Sequence, residues 1–483
     1  MANVKEETAR GIKWGLIQRL TMQPLQFLYG IILARLISPD EMGILGLTAI
    51  FFALAGQLQE CGFGTALIRK QDRTHEDICT VFWFNVGMSF VLSFILFLSA
   101  PLFAAFFNQP ALVNLTRVSA LLMFLNSTTS VHMTLYQARR DFKTPALVSM
   151  CTTLVAMPFT IWAAFSGWSY WAPMLQGIIT GVLTLITIWV ISPWKPKCSF
   201  STASFREFFR FGLNLAISGI ITQFYLEART FIIGKFYSPA QLAYFTRGQH
   251  TCSSPLQLAT SILNPITLPV LATLQHDQER LAQVFRQFVR LMSMVIEWGM
   301  ITLAANSAAI IVLLYGENWE TAAEYARILC FGWMLNPLTL LNTNFFAVLG
   351  RSDLHMKMAV MLRPISIIVM ILCAFHSVVA LCFSAIFAGG VSFSATCYLV
   401  TRISSIRFRD LAADFFPYLV MALVANIPSF FIDQLDWLPI CRLALGLSTS
   451  ILIYGCILLV KRDRAAAYLL AYAKEKIVRK RSQ

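Results

Sequence analysis

The sequence predicts an all-α protein that crosses a membrane about fourteen times. Three observations carry this: composition, an alternation of charge between loops, and an internal repeat. Of the 483 residues, 57% are hydrophobic and 13% charged, with a mean hydropathy of +0.66. A soluble chain carries about a quarter charged residues, and one aqueous core cannot hide this much apolar side chain. Apolar runs of helix-spanning length recur from end to end instead.

Fourteen helical segments are expected, at 12–36, 40–60, 77–100, 112–137, 144–166, 170–192, 208–234, 239–265, 283–307, 320–347, 355–376, 379–401, 411–432 and 438–460. One set of connecting loops is basic: Arg69, Lys70 and Arg73; Arg139, Arg140 and Lys143; Lys195, Lys197 and Arg206; Arg280 and Arg286; Arg351 and Lys357; Arg402, Arg407 and Arg409. The alternate set, at 101–111, 166–169, 315–319, 376–378 and 433–437, is nearly free of Lys and Arg. The positive-inside rule puts the basic set in the cytoplasm. Both termini are basic (Lys5, Arg10 and Lys13; Lys461 to Arg464 and Lys474 to Arg481) and are expected there too, which demands an even number of spans. The first segment carries Gln18, Arg19, Gln23 and Gln26 and is too long for a signal sequence, so no cleaved leader is expected.

The repeat begins with ILARLISPDEM at Ile32–Met42, echoed by IIGKFYSPAQL at Ile232–Leu242, 200 residues later. Arg35 matches Lys235, and Ser38-Pro39 matches Ser238-Pro239. Proline suits the first turn of a helix, so each copy predicts a tight helix-to-helix hairpin, placed on the extracytoplasmic side by the loop charges. A second block, Leu112–Asn126, matches Ala322–Asn336 at a spacing of 210, aligning Arg117 with Arg327 and Asn126 with Asn336. Six segments separate the copies. That even number predicts parallel repeats, two six-helix bundles with a substrate path between them. The expected organisation is a first bundle at 1–192, a cytoplasmic linker at 193–207, a second bundle at 208–405, two additional helices at 406–460, and a basic tail at 461–483.

Several chemistries are excluded or unsupported. No loop is long enough for a soluble catalytic domain, and there is no GxxxxGK[ST], no GxGxxG after a strand and no HExxH. An enzyme is not expected. The eleven cysteines are scattered without a CxxC pair, and the six histidines are dispersed, so neither a disulfide framework nor a metal site is expected. The +14 net charge is explained by basic loops beside a membrane and calls for no nucleic acid.

Ionisable side chains at membrane depth are costly and point to function. Arg19 lies roughly 10 Å inside the first segment, and Arg247 about 12 Å down the eighth. Glu227 and Arg229 fall in the outer third of the seventh. The repeat partners of these four are Gly219, Phe27, Tyr29 and Leu47, so a symmetric scaffold does not require them. Arg19, Glu227, Arg229 and Arg247 are the candidate substrate-binding residues. Arg117 and Arg327, about 8–10 Å deep, are secondary candidates, with a symmetric structural role as the alternative. Glu297 is a third, either pairing with Arg327 or Arg290 or taking part in ion coupling. Arg35, Ser38, Pro39, Lys235, Ser238 and Pro239 form a gate at the outer rim, where Arg35 and Lys235 can snorkel to the interface. Polar side chains on a spanning helix face protein or water. Gln18, Thr21, Gln23, Gln26, Thr222 and Gln223 therefore predict that the first and seventh segments line a hydrated cavity. Three arginines against one glutamate make it cationic, suited to a phosphate or pyrophosphate that arginine grips bidentately.

ILARLISPDEMGILGL, followed by ECGFGTALIRK at Glu60–Lys70, resembles the start of Wzx-type polysaccharide exporters of the multidrug/oligosaccharidyl-lipid/polysaccharide superfamily. The similarity is closest to the branch of colanic acid and teichuronic acid exporters and extends over essentially the whole chain. It implies a V-shaped pair of bundles in a bacterial inner membrane. It further implies a flippase that moves an undecaprenyl-pyrophosphate-linked oligosaccharide by alternating access, coupled to protons or sodium, with polymerase or chain-length machinery as partner. No resident cofactor is implied. The family's cationic cavity is carried to Arg19, Arg229 and Arg247 by helix and depth only. Two other readings remain. A multidrug antiporter on the same scaffold predicts an acid-dominated cavity. A membrane glycosyltransferase or ligase needs an acidic site near a substantial loop, whereas the outer acids Glu317, Glu320, Asp433 and Asp436 lie in short ones.

Overall fold

The computed structural model describes the backbone of residues 2–60 and 62–461, so the expected tail beyond Lys461 lies outside the described residues, as do the side chains of Lys5 and Arg10. Among the described residues every regular element is a helix. In order they are α1 (Ala2–Leu36), α2 (Pro39–Glu60), α3 (Phe63–Arg69), α4 (His75–Phe107), α5 (Leu112–Ala138), α6 (Lys143–Phe165), α7 (Trp171–Ile191), α8 (Thr202–Phe236), α9 (Pro239–Thr273), α10 (Gln278–Ala305) and α11 (Ser307–Tyr315). A 3-10 turn (Glu317–Trp319) leads into α12 (Glu320–Trp333), α13 (Asn336–Val348), α14 (Ser352–Ala374), α15 (Val378–Ile403), α16 (Phe408–Ile432) and α17 (Pro439–Val460).

Nine described helical stretches are long and apolar enough to cross a membrane, or ten if the two parts of α9, bent by 40° beside Pro265, count as one more. The chain is a multi-pass membrane protein. Helices α1, α5 and α8 are of spanning length yet are not among these stretches. Two of them, α1 and α8, carry the polar and charged side chains that predict a hydrated cavity. The expected single helix at 320–347 is broken into α12 and α13. Pro337 explains the break: it has no N–H to give to the Trp333 carbonyl, so the hydrogen-bond ladder is interrupted where α12 ends and α13 begins.

The described chain forms two compact units, residues 1–243 and 244–483. In the first, α4 packs on α5, α6 on α7, α1 on α6, and α2 runs along α8. At the end that carries the basic loops, Phe63, Leu67, Val81, Phe82, Val131, Trp194 and Phe208 form one buried cluster. Trp194 and Phe208 bracket the stretch expected as a linker, and that stretch is laid down on the unit. Trp83 Nε1 donates to the Lys197 carbonyl at 2.9 Å, and Ser201 N donates to Thr80 Oγ1 at 2.9 Å. Lys70 Nζ sits 3.2 Å from Asp77 and 3.1 Å from Glu207.

Partial burial pulls the Lys70 ammonium pKa down, and the two carboxylates outweigh that, so it stands above the ordinary lysine range. A raised folded-state pKa stabilises while the amine is charged, and the contribution disappears as pH climbs through that raised value. The contribution of Lys70 to docking of 193–207 is therefore expected to be indifferent to pH through neutrality and to fall away in strong alkali. The exposed Glu207 arm contributes little, but Asp77 is 3% exposed and loses its counter-charge while keeping the Thr74 N donor, so Lys70→Met should cost about 1–3 kcal/mol. Trypsin nicking at Lys195, Lys197 and Arg206, compared between the parent and Lys70→Met, checks both statements.

In the second unit α10 packs on α16, α16 on α17, and α12 on α15. Within a bilayer helices gain little from burying apolar surface against each other, so close approach of small residues matters more. Gly332 of α12 and Gly389 of α15 supply it: a Cβ on Gly332 would lie 2.9 Å from the Ala385 backbone, and one on Gly389 2.7 Å from the Gly332 carbonyl oxygen.

Candidate functional site

The two Ser-Pro hairpins form as the sequence suggests. Pro39 and Pro239 open α2 and α9. Ser38 Oγ accepts from Glu41 N at 3.4 Å while Glu41 Oε2 accepts from Ser38 N at 3.2 Å. This reciprocal cap is spelled by Ser38-x-x-Glu41 and adds to the hairpin expected there. Ser238 Oγ accepts from Gln241 N at 3.3 Å. The hairpins also meet. A Cβ on Gly43 would overlap the Pro239 backbone, one on Gly234 would overlap the Leu47 side chain, and one on Gly46 would stand 3.4 Å from Leu242. Lys235 Nζ reaches α4, donating to the Phe106 carbonyl at 2.6 Å with its charge 3.9 Å from the Phe106 ring centroid. Arg35 is exposed.

Along the same pair of helices, Gln57 of α2 would lie 3.0 Å from a Cβ on Gly219 of α8. Gly62, in left-handed backbone at φ 68°, lies against Gly212 and Leu215. Alpha carbons therefore come close from one end of the α2–α8 seam to the other.

Arg19 is exposed on α1 and makes no ion pair among the described residues. Glu227 and Arg229 are half-buried on α8, and Gln223 Nε2 donates to Glu227 Oε1 at 3.1 Å. These three belong to the first unit. Arg247 belongs to the second, half-buried on α9, with its guanidinium 5.9 Å from the Tyr315 ring and 5.8 Å from the Trp319 ring. An aromatic pair of this kind holds a cation by its faces.

The repeat-related arginines differ from one another. Arg117 lies 5.0 Å from the Phe97 ring of α4, and its Nε has no hydrogen-bond acceptor among the described residues. Arg327 is tied into a hub around Asp433, which follows α16. Asp433 is 2% exposed and accepts from Arg327 Nη2 at 3.1 Å, Ala308 N at 3.1 Å and Ala309 N at 2.8 Å, while Arg327 Nε donates to Ser307 at 3.2 Å. One carboxylate thus neutralises an arginine and satisfies the exposed first turn of α11. In the sequence Asp433 sits in a short outer loop, with no local signal of this role.

Asp414 of α16, 1% exposed, is a second hub. It accepts from Arg286 Nε at 2.6 Å and from Arg290 Nε. Glu297 consequently pairs with neither Arg290 nor Arg327. It is fully buried on α10, where its polar neighbour is the Ser293 hydroxyl and, among the described residues, no cation pairs with it.

Residues 32–324, more than half of the chain, match the family described as polysaccharide biosynthesis protein. The chain belongs to this family. Its relatives include the teichuronic acid biosynthesis protein TuaB of Bacillus subtilis, 21% identical over 356 residues that cover 73% of this chain and 74% of TuaB. The lipopolysaccharide biosynthesis protein WzxC of Escherichia coli is 22% identical, covering 70% of this chain and 69% of WzxC. Among solved structures, the lipid II flippase MurJ in an inward closed conformation superposes with a TM-score of 0.70 at 12% identity, covering 96% of this chain and all of MurJ. An inward-facing multidrug resistance MATE family transporter of the MOP superfamily superposes with a TM-score of 0.57 at 16% identity, covering 80% and 98%. At these identities the structures establish a shared fold. The polysaccharide biosynthesis family match takes in both hairpins, the α2–α8 seam and three of the four primary candidate residues, Glu227, Arg229 and Arg247.

Proposed function

We propose that this protein is a flippase of polysaccharide biosynthesis. It carries an undecaprenyl-pyrophosphate-linked oligosaccharide from the cytoplasmic to the periplasmic leaflet of a bacterial inner membrane. The observation that carries this reading is the pair of spanning-length helices, α1 and α8, whose Gln18, Arg19, Gln23, Gln26, Gln223 and Arg229 are unfit to face lipid. The family and the named relatives support the cargo class.

In this reading the chain spans the membrane fourteen times with both termini in the cytoplasm, and the two parallel repeats alternate in exposing a cationic path. Guanidinium groups of Arg19, Arg229 and Arg247 receive the pyrophosphate, the glycan follows through hydrated space, and the polyprenyl tail stays in lipid. Only non-covalent contacts change, so no catalytic residue is required. Polymerase or chain-length machinery would receive the cargo.

Deleting the chain should leave lipid-linked glycan synthesised but confined to the cytoplasmic leaflet; an unchanged distribution between leaflets refutes the proposal. A charged hydrogen bond contributes about 1.5–3 kcal/mol, roughly a 10- to 100-fold effect. Arg229→Ala and Arg247→Ala should each lower export by that order at unchanged membrane abundance, with Arg35→Ala doing less. Equal effects at the three positions would discard the assignment of the cationic path.

A further inference from the structure

The additional helices α16 and α17 both pack on α10. Arg286, Arg290, Ser293, Glu297, Ile301 and Ala304 recur along α10 in steps of three and four and share one face. Both ends of this stripe are occupied. Arg286 and Arg290 are bound to Asp414, and Ile301 and Ala304 line a cavity of about 380 Å³ together with Arg327, Leu423, Asn426 and Phe430. Glu297 lies between, about 10 Å along the axis from Arg290 and about 6 Å from Ile301. It is 0% exposed, its polar neighbour is the Ser293 hydroxyl one turn away, it has no cationic partner among the described residues, and Asn426 Oδ1 at the cavity is unpartnered there.

The charged groups on every element packed against α10 are engaged elsewhere or exposed. On α16, Asp410 and Asp414 bond Arg286 and Arg290, and Arg409 is exposed at the helix start. Asp433, just beyond α16, bonds Arg327 of α12, and Arg442 of α17 donates to the Asp433 carbonyl. Glu320 and Glu324 of α12 are exposed. The remaining titratable groups are Tyr418 of α16, Tyr325 and Cys330 of α12, Tyr315 of α11, and Tyr454, Cys441 and Cys456 of α17; Tyr454 Oη donates to the Met294 carbonyl, and the two α17 cysteines are exposed. Helix α13 has none. Among the described residues no cation is left for a carboxylate at 297.

An unpaired carboxylate at membrane depth is among the costliest groups a protein can bury, whereas its neutral acid is tolerated. We propose that Glu297 is a proton-binding site that couples the transport cycle to a proton gradient; this rests on the flippase reading. A hydronium ion reaching the site gives its proton to the carboxylate, forming one O–H bond and releasing water. When the α10–α16 face loosens, the proton leaves by the reverse step. The site lies where a helix of the second repeat meets an additional helix, and it belongs to a different unit from Arg19, Glu227 and Arg229.

The test has two arms. In lipid vesicles, infrared difference spectra read the C=O stretch of a protonated carboxyl in an apolar site. The wild type should show this band at neutral pH and lose it in alkali, and Glu297→Gln should lack it. A missing band in the wild type, or the same band in the variant, overturns the proposal. In the second arm a fluorescent polyprenyl-pyrophosphate disaccharide is the transport probe, with and without an imposed pH gradient. The wild type should flip faster with the gradient, and Glu297→Gln should flip at one rate regardless. Gradient acceleration in the variant, or none in a wild type that flips, overturns the proton site. A wild type that never flips the probe refutes the flippase reading, while the infrared band still decides the protonation of Glu297. If the Gln variant does not accumulate, dicyclohexylcarbodiimide labelling of the wild type serves: modification of Glu297 at neutral pH that fades in alkali is expected, and none overturns the assignment.

Discussion

Replacing Asp433 by alanine should destabilise the protein by about 3–5 kcal/mol, the cost of removing one partner from a buried ion pair. Three donors converge on this carboxylate, two from the first turn of α11 and one from Arg327. Removing it leaves a guanidinium that is 30% exposed without its counter-charge, and a helix start without its cap. Capping alone is worth about 1 kcal/mol. Asp433→Asn keeps an acceptor for one N–H but cannot neutralise Arg327, so its loss should be intermediate. Unfolding of the purified protein in detergent, followed by circular dichroism, ranks the parent and the two variants. An alanine variant within about 0.5 kcal/mol of the parent, the level of an ordinary surface change, would show that the hub carries little.

The second large effect is expected at Gly43. Its missing Cβ is where the Pro239 backbone lies, and backbone cannot rotate away as a side chain can. Gly43→Val must push the two hairpins apart, with an overpacking cost of about 1–3 kcal/mol. Spin labels on cysteines replacing the exposed Ser38 and Ser238 should report a longer distance in the Gly43→Val background, and export should fall with it. Gly87→Val serves as control, because nothing stands within 4 Å of a Cβ there. An unaltered label distance together with normal export would show that the hairpin contact plays no part in transport.

Much of this architecture is legible in the sequence for one physical reason: a segment that crosses lipid must be long, apolar and helical, so composition announces it. The hairpins are legible because proline and serine act locally, within one turn. Asn336-Pro337 announces its own break by the same local chemistry, although the apolar pattern runs through it without interruption. What stays hidden depends on contacts between distant residues. Arg286 and Asp414 are 128 residues apart, and Arg327 and Asp433 are 106 apart. The aromatic faces around Arg247 come from Tyr315 and Trp319, which no periodicity connects to it. Serine and lysine in 193–207 suggest a tether, whereas two buried aromatics, Trp194 and Phe208, hold that stretch down. Glu297 is visible as a charge in an apolar run, but that it has no cation to pair with among the described residues emerges only once both arginines are found committed elsewhere.

The Asp433 hub also has a consequence for how the chain is made. Ribosomes add about 5–20 residues per second, so Arg327 enters the membrane roughly 5–20 s before the aspartate that neutralises it exists. Through that interval α11 has a bare first turn and Arg327 an unmatched charge. The newly inserted bundle must therefore be sheltered by the insertion machinery, or hold water, until α16 is synthesised. A chain stalled before residue 433 should thus be a poor substrate for release into lipid and a good one for quality-control proteolysis.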